Sequence, residues 1–219
     1  MDDAELAPSR PKLRGWLHAV TAPAALAYGI VLVALSRHTA ARVSVGVFAG
    51  SAALLFAVSA TFHRRHWGPR MHAVLQRLDH ASIFLVIAGS YTPFSVLLLP
   101  PGQARTLLAL VWGGALAGIA FRVFWLHAPR WLYTPTYMVL GWAAIGFAPG
   151  FLASGQPWAI AMAATGGVLY TIGGVIYGIR RPDPSPRWFG FHEIFHALTV
   201  AAFATHAVGV GLAAHAAGA

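Results

Sequence analysis

The sequence predicts an all-α integral membrane protein with seven transmembrane helices. Hydrophobic residues make up 58% of the 219 residues and charged residues only 10%, and the mean hydropathy is +0.64. A soluble domain carries roughly 25% charged residues, and soluble packing could not bury this much apolar surface. The bilayer is therefore the expected solvent for most of the chain.

Seven apolar stretches are long enough to cross a membrane, which takes about 20 residues of helix. Short polar or proline-rich segments separate them. The predicted helices cover residues 16–36, 43–63, 79–99, 106–126, 132–152, 158–179 and 190–214. We expect a tail at 1–15, one membrane domain at 16–214 and a short tail at 215–219.

The basic residues predict how the chain is oriented. Eleven of the fifteen Lys and Arg residues lie in the N-terminal tail and in the second, fourth and sixth loops, and three lie on the opposite side. Arg122 falls one turn inside the fourth predicted helix, and we expect its side chain to extend toward the basic side. By the positive-inside rule the N-terminus is cytoplasmic and the C-terminus lies outside.

Composition excludes several other classes of protein. The formal charge of +9 is dispersed between apolar runs rather than gathered in one patch, so we expect no nucleic acid partner. The chain has no cysteine, which excludes disulfides and thiolate metal sites. The first apolar run is too long for a signal peptide and is expected to be the first span.

Polar residues converge at the inner ends of three predicted helices. His63 ends the second helix, with Ser59 on the same helical face. Asp79 starts the third helix, and His192 and His196 lie in the first two turns of the seventh. Ionisable residues inside a membrane are costly and normally pair or serve a function. Three elements far apart in sequence thus bring these side chains to one depth.

Three histidines with an open fourth position are typical of a catalytic zinc site. Neutral imidazole suits zinc, and no thiolate competes for it here. Asp79 would orient a bound water or accept its proton, and Ser59 would donate a supporting hydrogen bond. The alternative is a purely structural cluster of interfacial histidines bonded to backbone carbonyls.

Residues 192–196 also spell H-E-x-x-H, the motif that gives zinc peptidases two ligands and a glutamate base. Spacing alone does not exclude a peptidase, in which Glu193 would be the base. However, Glu193 at the start of a helix also suits a plain electrostatic role beside the positive helix end. We favour Asp79 as the base.

Other histidines have less definite roles. His206 lies roughly 15 Å along the helix from His196, too far to share its metal. His18 falls near the inner end of the first helix and could support the site. His80 points about 100° away from Asp79. The roles of all three stay open.

Seven stretches of the chain together resemble the haemolysin III family, the bacterial members of the superfamily that includes the adiponectin and progestin receptors. The S-x-x-x-H and H-x-x-x-H motifs in the second and seventh helices are the hallmark of that superfamily. The matching stretches are SATFH (59–63), LDHASIF (78–84), IAGSYTPF (87–94), LYTPTY (132–137), GW (141–142), YTIGG (170–174) and FGFHEIFH (189–196).

The resemblance implies seven helices with an inward N-terminus, in the inner membrane of a bacterial cell. It also implies zinc on His63, His192 and His196, with Asp79 beside the metal and Ser59 supporting it. The receptors carry glutamine at the position of Glu193, which argues further against a peptidase.

The resemblance is less specific about the function than about the site residues. Receptor relatives look like zinc-dependent amide hydrolases of ceramide-type lipids, so a hydrolase of a lipid amide or ester with a role in membrane lipid homeostasis is expected. The alternatives are a non-enzymatic sensor or receptor with structural zinc and a pore-forming haemolysin or channel. The sequence does not identify the substrate or the oligomeric state.

Overall fold

The computed structural model of the chain describes residues 11–218, and its architecture is a bundle of membrane-length helices. The helices are α1 (Trp16–Leu35), α2 (Thr39–Arg64), α3 (Pro69–Leu98), α4 (Pro101–Phe124), α5 (Arg130–Gly141), α6 (Ala148–Leu152), α7 (Pro157–Ile179) and α8 (Phe191–Gly218). Helices α5 and α6 and the segment between them count as one span. The described residues therefore contain seven spans, as the composition predicted.

Prolines set the starts of three helices. Pro69, Pro101 and Pro157 occupy the first turns of α3, α4 and α7. The first turn has no intrahelical partner for its N–H groups, so proline loses nothing there, and its fixed φ favours the helix. These prolines also keep the connecting segments short, which makes successive helices antiparallel neighbours.

Helix α3 begins ten residues earlier than the apolar pattern predicted. Pro69 starts it rather than residue 79, and the preceding connection shrinks to residues 65–68. The cause is that the added turns carry polar side chains such as Arg70 and Arg77 while keeping helical hydrogen bonding. As a consequence Asp79 lies about 15 Å into the helix rather than at its first residue.

The fifth span is not one continuous α-helix. A 3-10 segment, Ala143–Phe147, separates α5 from α6. Pro149 lies in the first turn of α6, and its ring would clash with the carbonyl of residue 145 in a continuous α-helix. The last helix also differs from its predicted end, because α8 continues to Gly218.

Neighbouring helices pack in chain order from α1 to α4, α7 packs on α8, and α8 closes against α1, α2 and α3. Aromatic rings fill the middle. Phe48 stacks on Phe203 with ring centres 5.4 Å apart, and Phe56 contacts Phe203 edge-on with centres 5.2 Å apart. Large apolar side chains cover the outside instead, as in Phe124 and Trp131, which are 88% and 75% exposed. Such a surface suits contact with lipid.

The chain before α1 is attached to the connection between α7 and α8. The backbone N–H groups of Lys12 and Leu13 donate to the carbonyls of Arg187 and Trp188, at 3.0 and 3.3 Å. These bonds bring Arg14 to the start of α8, directly beside the predicted site.

Candidate metal centre

Three histidines from two distant helices meet at one end of the bundle. His63 lies in the last turn of α2, and His192 and His196 lie one helical turn apart at the start of α8. One ring nitrogen of each lies within 4.8 Å of the other two. His63 Nε2 and His192 Nε2 are 3.3 Å apart. We call these three residues the histidine triad.

The spacing of His63 and His192 suits two ligands of a tetrahedral metal ion. Zinc binds imidazole nitrogen at about 2.0–2.1 Å, so two ligands of a tetrahedron lie roughly 3.3–3.4 Å apart. The separation of 3.3 Å between His63 and His192 matches this value. His196 is 3% exposed, so its ring is shielded as a ligand inside a membrane protein must be. The triad could hold zinc with a fourth position left for another ligand.

Asp79 approaches the triad from a third helix. Its Oδ2 lies 3.6 Å from His63 Nε2, so the two side chains are in contact range without a close hydrogen bond. Ser59, one turn before His63 on α2, is buried and interacts with the Asp79 carboxylate. The residues predicted to form the site are therefore brought together.

His18 fixes the orientation of one triad member. It is 2% exposed, and its ring stacks on His196 with centres 3.8 Å apart and planes 12° from parallel. Phe56 contacts the His18 ring edge-on, with ring centres 5.0 Å apart. His18 therefore lies against the triad as packing that restricts the rotation of His196.

Glu193 points away from the triad into a different set of contacts. It is 1% exposed and forms an ion pair with Arg14. Its Oε2 accepts a hydrogen bond of 2.8 Å from the backbone N–H of Gly190, as a glutamate does in the first turn of a helix. With both carboxylate oxygens engaged, Glu193 holds the start of α8 in place.

A cavity of about 850 Å³ extends from the triad into the bundle. That is at the upper end of the range for small-molecule sites, roughly 300–1,000 Å³. Its walls are mainly apolar and aromatic, and Asp79 and the triad lie on them. His206 lies on the wall too, where its Nε2 donates to the Ala163 carbonyl at 3.0 Å. His206 thus lines the cavity apart from the triad.

The sequence-based prediction for Arg122 is wrong. Its side chain does not extend to the surface but is 1% exposed, contacts His80 and stacks over the Tyr133 ring. The signal in the sequence was a charged residue inside an apolar stretch. Whether such a residue faces lipid or the bundle depends on the neighbouring helices, which sequence reasoning did not specify.

Comparison with known proteins places these observations in a family. The model of the family described as haemolysin-III related matches residues 6–207. Hemolysin-3 of Bacillus cereus is 31% identical over 150 residues, 68% of each chain. The Hemolysin-3 homolog of Bacillus subtilis (strain 168) is 35% identical over 136 residues, 62% of this chain and 63% of the relative. The chain belongs to the haemolysin III family of multi-pass membrane proteins.

Proposed function

We propose that this protein is a zinc-dependent hydrolase of a lipid amide or ester, with a role in membrane lipid homeostasis. The observation that carries the proposal is the three-imidazole site at the wall of a large apolar cavity, with a carboxylate from another helix beside it. Substrate-sized apolar cavities with a few convergent polar groups are the usual form of active sites.

Each polar residue has a distinct role in this proposal. A zinc ion held by the triad would polarise a carbonyl oxygen and lower the pKa of a water toward 7. Asp79 Oδ2 would accept the proton of the attacking water and return it to the leaving amine or alkoxide. Ser59 would orient the Asp79 carboxylate. Because Glu193 is engaged by Arg14 and Gly190, it takes no part as a base.

The cavity wall supports a lipid substrate rather than a polar one. Aromatic and aliphatic side chains such as Phe94, Leu98, Phe151 and Ile160 line it beyond the triad. An acyl chain could pass from the bilayer core into such surroundings without exposing its apolar surface to water. A peptide segment would leave its backbone groups without partners in the same surroundings.

The test measures metal content and lipid turnover on the same purified protein. We expect stoichiometric zinc by mass spectrometry and release of fatty acid from a lipid amide or ester. His63→Ala should lose both. His215→Ala, a change of another histidine far along α8, should lose neither and is the matched control. Stoichiometric zinc that raises thermal stability without turnover of any lipid would instead indicate a sensor or receptor with structural zinc.

A second candidate function comes from the names of the two relatives, which are Hemolysin-3 and a Hemolysin-3 homolog. It predicts leakage of dye from liposomes in proportion to protein dose. If leakage is the molecular activity, His63→Ala should leave it unchanged, because pore formation needs no hydrolytic site. Leakage that depends on the triad and follows the release of fatty acid would support the hydrolase.

A further inference from the structure

A second polar cluster lines the cavity next to the histidine triad. It consists of Arg122 from α4, Arg130 and Tyr133 from α5, Tyr177 from α7 and His80 from α3. We call it the arginine–tyrosine cluster. The proposed hydrolysis assigns no role to any of its members.

Arg122 is buried and only partly satisfied. Its side chain is 1% exposed, one terminal nitrogen donates to the Trp125 carbonyl at 3.3 Å, and the other contacts His80 Nδ1. The guanidinium carbon lies 4.2 Å from the centre of the Tyr133 ring. Its Nε has no hydrogen-bond partner among the described residues. One donor of a permanently charged group is thus left unpaired in the interior.

No carboxylate among the described residues 11–218 forms an ion pair with Arg122. Within residues 11–218 the ion pairs are Arg14 with Glu193 and His63 with Asp79. Arginine stays protonated in proteins, and an isolated buried charge is strongly destabilising unless it is compensated. The carbonyl at the end of α4 and the helix dipole compensate only part of the charge. The remaining attraction favours an anion from outside the chain.

The rest of the cluster supplies further donors at the same place. Arg130 lies over the Tyr177 ring, 4.7 Å from its centre, and donates to the Tyr177 carbonyl at 3.4 Å. The hydroxyls of Tyr133 and Tyr177 are 3.1 Å apart. Two guanidinium groups and two hydroxyls around one space are donors suited to a tetrahedral oxyanion. Arginine binds phosphate with bidentate geometry and is preferred for it.

We propose that the arginine–tyrosine cluster binds a phosphate group carried by a membrane lipid. The apolar remainder of the cavity would hold the acyl chains of that lipid. The Tyr177 ring contacts both Arg130 and His192, the latter at 5.8 Å between ring centres, so the phosphate would lie one aromatic ring away from the triad. The inference rests on the proposed function only where it makes the bound lipid a substrate. Binding of the lipid phosphate can be measured without turnover.

Binding to the purified full-length protein in detergent tests the proposal. The probes are dihexanoyl phosphatidylglycerol, dihexanoylglycerol, which lacks the phosphate, and inorganic phosphate. We expect phosphatidylglycerol to bind and dihexanoylglycerol to bind at least tenfold more weakly. Arg122→Met and Arg130→Gln should each weaken phosphatidylglycerol at least tenfold, as for the loss of a charge-assisted hydrogen bond.

Arg77→Gln is the matched control. Arg77 is also half-buried and donates to a carbonyl near the end of α4, Val123 at 3.0 Å, but it does not line the cavity. Its removal should leave binding unchanged, which separates the cluster from general attraction of anionic lipid to basic residues. Inorganic phosphate is tested as a competitor of phosphatidylglycerol. If it competes, and if this competition also depends on Arg122, the cluster binds free phosphate rather than the phosphate of a lipid.

Two results would overturn the proposal. One is equal affinity for phosphatidylglycerol and dihexanoylglycerol. The other is wild-type affinity in either Arg122→Met or Arg130→Gln, where the half-buried Arg130 provides a test even if the Arg122 variant fails to fold. Arginine-dependent binding without turnover would refute the proposed hydrolase activity and support the phosphate site. Turnover without arginine-dependent binding would support the hydrolase activity and refute the phosphate site.

Discussion

Replacing Asp79 with asparagine separates the proposed proton transfer from metal binding. Asparagine has nearly the same shape and keeps one acceptor oxygen, but it cannot take up a proton at neutral pH. Asp79 Oδ2 lies 3.6 Å from His63 Nε2, and the three imidazoles remain in place in the variant. We therefore expect Asp79→Asn to bind zinc and to lose most of its turnover.

General acid and base catalysis contributes roughly 10²–10⁴ in rate. The expected loss in kcat is in that range, which corresponds to a barrier higher by about 2.7–5.5 kcal/mol. Zinc affinity should fall as well, because a nearby negative charge is removed. The fall should be limited, since the loss of a buried carboxylate also removes its desolvation cost.

The assay measures kcat and KM for lipid hydrolysis with saturating zinc, so that weaker metal binding does not lower the rate. Asp183→Asn is the matched control, because it makes the same chemical change in the exposed connection before α8, where Asp183 accepts a hydrogen bond of 2.9 Å from Phe191. Its kcat should stay at the wild-type value. A zinc-loaded Asp79→Asn protein with wild-type kcat would refute the assignment of the base.

Three other predictions concern the metal, the buried ion pair and helix packing. Removing zinc with a chelator should lower the melting temperature in detergent, because zinc at 100 times its Kd stabilises the folded state by about 2.7 kcal/mol. An unchanged melting temperature would contradict metal binding in the folded state. Glu193→Gln should keep zinc and turnover but unfold at a lower temperature, because a charge-assisted hydrogen bond worth about 1.5–3 kcal/mol is weakened. Loss of turnover in a folded, zinc-loaded variant would instead favour Glu193 as the catalytic base, as in a peptidase. Gly166→Ala should destabilise by about 1–3 kcal/mol, because the added methyl would overlap the His206 ring. Gly167→Ala is the control, because nothing lies within 4 Å of the added carbon, and it should leave the melting temperature unchanged. Equal melting temperatures for the two variants would contradict the packing described.

Composition was enough to predict the membrane class, and the positions of the long apolar stretches predicted the seven spans. Hydrocarbon leaves no alternative partner for backbone N–H and C=O groups, so each long apolar stretch must become a helix. Helix ends were less predictable, because hydropathy marks where apolar side chains stop and not where helical hydrogen bonds stop. The early start of α3 at Pro69 and the break before Pro149 are examples.

Local spacing also determined part of the site. His192 and His196 share a helical face because they are four residues apart, and this holds whatever surrounds them. Their meeting with His63 depends on the packing of α8 against α2. The predicted topology placed the three histidines at one depth, but it did not specify which helices are in contact.

Tertiary structure alone decided what the charged residues do. Glu193 is paired with Arg14, 179 positions away, and the H-E-x-x-H spacing gives no sign of that partner. Arg122 is enclosed by α3 and α5, with His80 and Tyr133 against its guanidinium. A charge inside the bilayer must find compensation, but which neighbours provide it depends on contacts between helices that are remote in the chain.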